Sequence, residues 1–237
     1  MAVCEASAPG TTLPPGAVEV ISRRLAADGT ALAAAAATLS AAERLRAGCF
    51  ATASLRERYI IARATLRELL GERLGIAPQA VELACGPYGK PALAGAVAGR
   101  LHFSLSHSED LAVFALAHAE VGIDIERLRP LPVADRIVER FFSRHEQAAY
   151  RALPAAQKLL GFFNAWTRKE AFIKAAGEGL HHPLDTFDVS LEPGVPACLL
   201  RVGQLSGEAS GWTLRSFQPG PGFVGALVVR RPPAQLH

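Results

Sequence analysis

Hydrophobic and polar residues alternate with two different periods along this chain, and the change of period divides it into four blocks. Residues 42–75 place apolar side chains at helical spacing with arginines between them, which predicts one or two helices. Residues 101–108, 111–117 and 120–126 are short, mostly apolar runs joined by polar links, which predicts the strands of an antiparallel meander.

The same change of period occurs again after residue 119. Residues 131–153 return to helical periodicity, Pro154 interrupts it, and a second amphipathic helix is predicted to end at Gly177. Strand-like runs follow between residues 186 and 231. The order of helices, strands, helices and strands therefore predicts an α+β fold made of two similar halves, although no sequence repeat accompanies it.

These blocks predict three segments. Residues 1–16 are rich in Pro, Gly, Ser and Thr and are expected to form a flexible N-terminal tail. Residues 17–119 form an N-terminal α+β half, and residues 120–237 form a C-terminal α+β half that carries the acidic residues discussed below.

Composition narrows the classes of protein. The chain has 237 residues and 50% hydrophobic content, which is enough for a substantial core. A formal net charge of +3 is too small to indicate a nucleic-acid partner, and no apolar run is long enough to span a membrane. The N-terminus lacks the features of a signal peptide, and the scattered cysteines have no CxxC spacing. We therefore expect a cytoplasmic protein with reduced thiols.

Two acidic residues interrupt the apolar run that begins at Val121. Asp124 and Glu126 are two residues apart, so a strand places both carboxylates on one face. Two negative charges about 4 Å apart repel each other by roughly 4 kcal/mol at an effective dielectric constant near 20. The pair therefore indicates either a solvated strand face or a cation between the carboxylates.

A third carboxylate lies on the second predicted helix. Glu170 and Lys174 are one turn apart and share a helical face with Trp166. Three carboxylates around a hard divalent ion would be stable, and Mg²⁺ takes oxygen ligands and shares its coordination sphere with substrate phosphates. Lys174 would then face a phosphate as a point charge. The plainer interpretation, in which Glu170 and Lys174 form an ordinary helical ion pair, stays open.

Two further segments offer contacts to a phosphate-bearing ligand. Ser106 and His107 end a strand just before a turn, where a hydroxyl and an imidazole can donate hydrogen bonds to an anion. Lys90 and Pro91 lie in a Gly/Pro loop whose exposed backbone can approach a nucleotide. Each signal is weak alone, because a lone Ser-His pair is usually structural, and the hypothesis depends on their combination.

Several of these segments together resemble a known family. In order and spacing, GKP, HFSLSHS, VGIDIE and FFNAWTRKEAFIKAAGEGL are similar to the 4′-phosphopantetheinyl transferases of the Sfp-like, surfactin-synthetase-activating branch. The resemblance runs from about residue 40 to residue 190. It implies a monomeric enzyme with a pseudo-twofold arrangement of its two halves and an active site in the cleft between them.

The resemblance also implies an activity and a set of site residues. Family members transfer the phosphopantetheine arm of coenzyme A to a serine of an acyl or peptidyl carrier protein and release adenosine 3′,5′-bisphosphate. The implied ligands of Mg²⁺, or of Mn²⁺ in its place, are Asp124, Glu126 and Glu170. Glu170 is also the implied general base, and Lys174 the implied contact to the diphosphate. The implied contacts to coenzyme A are Lys90, Pro91, Ser106, His107, Arg58 and Arg46. The family often has Asn where this chain has Ser104.

The resemblance leaves the partner and two rival functions to be decided. Carrier proteins of this kind are acidic, so the arginine-rich surface of residues 44–73 is expected to attract one. The first rival is a Mg²⁺-dependent phosphohydrolase that uses the same carboxylates and water to hydrolyse coenzyme A. The second is a non-catalytic relative that only binds coenzyme A or a carrier.

Overall fold

The computed structural model describes residues 3–5, 13–14, 16–177, 179, 183–202 and 209–231. The strands are β1 (Val3–Glu5), β2 (Val18–Arg24), β3 (Leu83–Cys85), β4 (Pro91–Leu93), β5 (His102–Ser108), β6 (Leu111–Ala117), β7 (Val121–Arg127), β8 (Asp188–Val189), β9 (Leu199–Arg201), β10 (Trp212–Phe217) and β11 (Phe223–Arg230). The helices are α1 (Gly29–Thr38), α2 (Ala41–Gly48), α3 (Ala53–Leu74), α4 (Ala134–Phe141), α5 (Arg144–Ala152) and α6 (Ala155–Ala176). None of these helices is both long and apolar enough to cross a membrane.

Most of the predicted elements are present, with two differences. The single helix predicted at 131–153 is divided into α4 and α5, because the Ser143 side chain accepts from the Glu146 backbone N–H and starts a new helix there. β2 was not among the predicted strands. It lies inside the first sheet, where it pairs with β6 in an antiparallel register.

The third strand of the predicted meander has a different partner. β5 and β6 are antiparallel neighbours in a sheet of order β1-β2-β6-β5. β7 instead pairs with β11 in a second sheet of order β10-β11-β7. The prediction of one continuous meander is therefore wrong, because an apolar run specifies a strand but not the strand beside it.

The two halves share one topology, which confirms the predicted α+β fold with a pseudo-twofold arrangement. Each half has a first strand, helices that end in a 22-residue helix (α3 or α6), a short strand pair and a final hairpin. The last strand of each hairpin pairs with the first strand of its own half, so the strand orders are β2-β6-β5 and β7-β11-β10. The predicted boundary near residue 119 falls in the loop between β6 and β7.

A buried ion pair occurs at the same place in each half. Glu43 near the start of α2 contacts Arg67 of α3 at 2.7 Å, and Glu146 near the start of α5 contacts Lys169 of α6 at 2.8 Å. Both carboxylates also complete a capping box with the serine that begins their helix. Both cations lie 14 residues after the first residue of a 22-residue helix. The duplication that element order predicts is therefore present at the level of single contacts.

The predicted N-terminal tail is partly paired. Val3–Glu5 form β1, which lies parallel to β2 and extends the first sheet. This pairing covers backbone groups of β2 that an edge strand would leave open. Much of the remainder of residues 1–16 lies outside the described residues.

Apolar side chains of the described residues form three buried clusters. One lies where α3 packs on the first sheet, and a second where α6 packs on the second sheet. The third draws on both sheets, with members that include Val113 and Ala115 of β6, Ile123 and Ile125 of β7, and Leu227 of β11. The two halves therefore share one apolar layer.

β5 and β7 meet along the seam between the halves, and serine side chains join them. The hydroxyl oxygens of Ser104, Ser106 and Ser108 accept hydrogen bonds from the backbone N–H groups of Ile123, Ile125 and Arg127, at 3.1, 3.3 and 3.1 Å respectively. These amides lie on the edge of β7 away from β11, so the serines satisfy donors that would otherwise be buried without partners.

Candidate functional site

The two carboxylates of β7 lie on one face of the strand, as their spacing predicts. Each accepts a hydrogen bond from a serine hydroxyl of β5. Ser106 Oγ donates to Asp124 Oδ1 at 2.7 Å, and Ser108 Oγ donates to Glu126 Oε2 at 2.9 Å. Asp124 is buried, and its Oδ2 has no hydrogen-bond partner among the described residues. A buried carboxylate oxygen without a donor is unusual and marks a place where a cation would fit.

α6 brings Glu170 and Lys174 to this face. The helix lies against the β7 backbone at Gly122, where an added Cβ would be 2.0 Å from the carbonyl oxygen of Ala171. Because the contact is this close, Lys174 Nζ reaches Asp124 Oδ1 at 2.6 Å. The ion pair differs from the helical Glu170–Lys174 pair that sequence spacing left open.

Glu170 is electrostatically coupled to both carboxylates of β7. Burial and the negative charge of Asp124 raise the pKa of Glu170, and Glu126 adds to the effect. The ammonium of Lys174 acts in the opposite direction. Glu170 therefore holds a proton more readily than an exposed glutamate does, which suits a general base.

The predicted metal ligands are neighbours, but they do not converge on one point. Among the residues that the structure describes, no group of three His, Cys, Asp or Glu side chains could hold a metal ion. The Lys174 ammonium contacts Asp124 Oδ1 and supplies the positive charge that a bound metal ion would otherwise give this carboxylate. The donors are all oxygens, and the buried Asp124 Oδ2 has no hydrogen-bond partner among the described residues, a combination that suits a hard divalent ion.

A cavity of about 680 Å³ lies beside these residues, between the two halves. Its lining includes Tyr59, Arg63, Phe103 and His107 from the first half and Glu170 and Lys174 from the second. This volume is typical of a ligand site, and most of the lining surface is apolar with a few polar groups. The predicted cleft between the halves is therefore present.

His107 lies where three cavities meet. It lines the main cleft, a cavity of about 280 Å³ beside Asp124 and Glu126, and a cavity of about 420 Å³ beside Arg58. Partial burial of the ring lowers the pKa of His107, and the positive charges of Lys174 and Arg58 lower it further. The neutral imidazole is therefore favoured at neutral pH, with one N–H available as a donor.

Lys90 and Pro91 line the main cleft, but the Lys90 ammonium has other partners. Lys90 Nζ donates to the carbonyl oxygens of Val121 at 3.2 Å and Ala175 at 3.1 Å. Burial lowers the pKa of Lys90 to about 8, against an opposing effect of Glu120. The Lys90 ammonium therefore joins the start of β7 to the end of α6.

The predicted basic contacts fall on different sides of the cleft. Arg58 lies beside His107 in the 420 Å³ cavity, whereas Arg46 lines a separate groove of about 440 Å³ that meets the cleft at Tyr59 and Arg63. Sequence reasoning did not assign Tyr59 or Arg63 to the site. Their i, i+4 spacing on α3 is a signal that could have found them, since the Arg63 guanidinium lies 5.9 Å from the centre of the Tyr59 ring.

Comparisons with known proteins identify relatives of the chain. A family profile described as the 4′-phosphopantetheinyl transferase superfamily matches residues 120–226. The 4′-phosphopantetheinyl transferase HetI of a Nostoc species is 38% identical over 196 residues, which cover 82% of this chain and 79% of HetI. The 4′-phosphopantetheinyl transferase Sfp of Bacillus subtilis is 27% identical over 175 residues, 74% of this chain and 75% of Sfp.

A solved structure is also similar in part. The holo-[acyl-carrier-protein] synthase of Thermotoga maritima matches with a TM-score of 0.36 and 23% identity, over 48% of this chain and 63% of that one. A TM-score this low adds no weight to the sequence relatives.

Proposed function

The chain belongs to the 4′-phosphopantetheinyl transferase superfamily, and on that premise we propose that it transfers the 4′-phosphopantetheine arm of coenzyme A to a serine of an apo carrier protein. The product that leaves is adenosine 3′,5′-bisphosphate. The observation that carries the proposal is that Glu170 and Lys174 line the inter-half cleft while Lys174 contacts the buried Asp124 at 2.6 Å.

Coenzyme A is proposed to bind in the main cleft. The molecule carries a diphosphate and a 3′-phosphate, and the first half offers cationic or donor groups in Arg58, Arg63 and His107. The apolar lining from Phe103 and Ile173 suits the pantetheine chain, which has few charges.

Asp124, Glu126 and Glu170 are proposed to hold Mg²⁺, and Mn²⁺ is an equal candidate because oxygen ligands suit both ions. The support is the oxygen-only donor set and the buried Asp124 Oδ2, which has no hydrogen-bond partner among the described residues. When bound, the ion would neutralise charge on the diphosphate of the substrate.

The protein residues are proposed to divide the remaining work. Glu170 accepts the proton of the carrier serine as the serine oxygen forms its bond to the β-phosphorus of coenzyme A. The phosphoanhydride bond breaks, and the electron pair leaves with adenosine 3′,5′-bisphosphate. Lys174 supplies positive charge near the oxygen that leaves, since it lies one helical turn beyond Glu170.

The arginine-rich surface of α2 and α3 is proposed to attract the carrier. Arg44, Arg46 and Arg56 are exposed there. An acidic carrier would be steered toward the cleft by this surface, and the association rate would fall as salt screens the charges.

Intact mass spectrometry tests the proposal. A purified apo acyl carrier protein, and separately a peptidyl carrier, is incubated with the protein, coenzyme A and Mg²⁺, with EDTA as the control. A mass gain of one phosphopantetheine arm that EDTA abolishes is the expected result. Consumption of coenzyme A without a gain would favour a phosphohydrolase, and no consumption would favour a binding protein.

A further inference from the structure

The serines of β5 make contacts beyond those to the β7 backbone. Ser104, Ser106 and Ser108 make the same hydrogen bond, because each hydroxyl accepts from the backbone N–H of the residue 19 positions later. A hydroxyl that accepts in this way still has one hydrogen to donate. Ser106 donates it to Asp124 at 2.7 Å and Ser108 donates it to Glu126 at 2.9 Å.

Ser104 differs from the other two in what faces it. The carboxylate in each bridged pair belongs to the residue immediately before the amide donor, and at the Ser104 position that residue is Gly122. The Ser104 hydroxyl therefore accepts a hydrogen bond from the backbone N–H of Ile123 but has no carboxylate of β7 beside it. The chain thus contains the same seam contact in two forms, one with an acidic partner and one without.

The geometry orients the carboxylate as well as the strand. The Ser108 hydroxyl accepts from the Arg127 N–H at 3.1 Å and donates its own hydrogen to Glu126 Oε2 at 2.9 Å. Ser108 is buried, so water does not compete easily for this bond. Glu126 itself is half-buried, and the exposed Arg129 approaches the same oxygen only at 3.4 Å. Ser108 is therefore the shorter and better shielded of the two contacts to that oxygen.

We propose that Ser108 is a positioning residue that fixes the carboxylate of Glu126 for a divalent cation. The inference rests on the proposed function, in which Glu126 is a metal ligand. Partners of metal ligands that hold them in one orientation typically contribute a factor of about 10 to 100 in metal affinity. A role confined to the seam between the halves would instead affect stability alone, as we expect for Ser104.

The test compares Ser108→Ala with Ser104→Ala in metal binding. Mn²⁺ affinity is measured by titration with electron paramagnetic resonance on the full chain, without coenzyme A or carrier, and thermal unfolding is followed in parallel. We expect Ser108→Ala to weaken Mn²⁺ binding about tenfold. Ser104→Ala should leave Mn²⁺ affinity within about twofold of the unchanged protein. It removes the same kind of hydrogen bond to the β7 backbone as Ser108→Ala does.

Two conservative variants complete the design. Ser108→Thr keeps the hydroxyl and is expected to restore Mn²⁺ affinity. If Ser108→Ala does not fold, Ser108→Cys takes its place, because a thiol is a much weaker donor at nearly the same position.

The outcomes separate this inference from the proposed function. If Asp124→Ala abolishes Mn²⁺ binding but Ser108→Ala does not weaken it, the positioning role is overturned and the metal site stands. Equal losses of Mn²⁺ affinity in Ser108→Ala and Ser104→Ala would also overturn the positioning role. If Asp124→Ala binds Mn²⁺ as well as the unchanged protein, both the metal site and the inference fail.

Discussion

The two halves of the molecule use one topology, yet their helix–strand contacts are built differently. In the first half, Glu19 of β2 and Arg73 of α3 form a buried ion pair at 2.6 Å between strand and helix. In the second half, the corresponding positions are Gly122 and Ala175, counted from the start of each strand and each long helix. An added Cβ on Gly122 would lie 2.3 Å from the Ala175 nitrogen, so backbone meets backbone there.

The difference shows how one scaffold supports chemistry on only one side. The close contact at Gly122 brings α6 onto β7, and Lys174 can then reach Asp124. In β2, the positions that correspond to Asp124 and Glu126 are Ile21 and Arg23. The first half therefore keeps the fold without the acidic face, and it contributes the opposite wall of the cleft.

The largest expected effect is on activity. Glu170→Gln should reduce transfer to the carrier by at least about 1,000-fold, because it removes the proposed base and an anionic ligand. The matched control is Glu68→Gln, the same position on α3, where the side chain is exposed. Mass spectrometry of the carrier measures both. Equal activity in the two variants would contradict the assignment of Glu170.

The next effect compares the two buried ion pairs. Lys169→Met should lower the free energy of unfolding by about 3–5 kcal/mol, because it leaves the Glu146 carboxylate without its cation in a fully buried site. Arg67→Met should have a smaller effect, because the Arg67 side chain is 3% exposed and Glu43 is 9% exposed, whereas the second pair is 0% exposed. Urea unfolding measures both, and a reversed order would contradict the comparison.

A smaller effect is expected at the close backbone contact. Gly122→Ala should cost about 1–3 kcal/mol of stability and displace α6 from β7, which lowers the transfer rate as well. Gly48→Ala at the end of α2 is the control, because an added Cβ there meets nothing within 4 Å. Combined melting and transfer assays test this, and unchanged values for Gly122→Ala would show that the helix tolerates a side chain.

The smallest effect is the pH dependence of the free energy of unfolding, which has opposite signs for the buried carboxylates Glu43 and Glu146 of the two halves. Burial alone would raise the pKa of Glu43, but hydrogen bonds from the Ser40 backbone and Arg67 outweigh it and the pKa is lowered. Burial raises the pKa of Glu146 in spite of Lys169. Glu43 therefore adds stability above its usual pKa that is lost on acidification, whereas Glu146 adds stability at low pH that is lost as pH rises through its raised pKa.

Urea unfolding at about pH 7 and about pH 4 measures this difference. From the higher to the lower pH, the stability difference between the unchanged protein and Glu43→Gln should narrow. The difference for Glu146→Gln should widen over the same interval. Parallel changes in the two variants would show that the two carboxylates have similar pKa values after all.

Local sequence patterns predict most of the helices and strands, but they do not predict which strands pair with one another. The helix ending at Gly177 and the strands at 101–108 and 111–117 follow from periodicity and chain punctuation. The S-x-x-E capping signature at Ser143 marks the break between α4 and α5, whereas helical periodicity alone predicts one continuous helix over residues 131–153. The pairing of β7 with β11 was not readable, because it joins segments about 100 residues apart.

The site was predictable as a set of residue types rather than as a network. Strand alternation placed Asp124 and Glu126 together, and helical spacing placed Glu170 beside Lys174. The serine bridges of β5 and the tie between Lys174 and Asp124 depend on how two sheets and a helix meet, so no period reveals them. Element order predicts the duplication, but no sequence repeat accompanies it, since corresponding residues such as Arg67 and Lys169 differ in type and match only in position.

The apolar layer shared by the two sheets makes the halves one unit of stability. Residues of β6 cover residues of β7 and β11, so neither half has a complete core without the other. The protein should consequently unfold in a single cooperative transition rather than in two. A chain cut at the boundary would leave each fragment with a strip of exposed apolar strand, and we expect such fragments to aggregate instead of acting as half-enzymes.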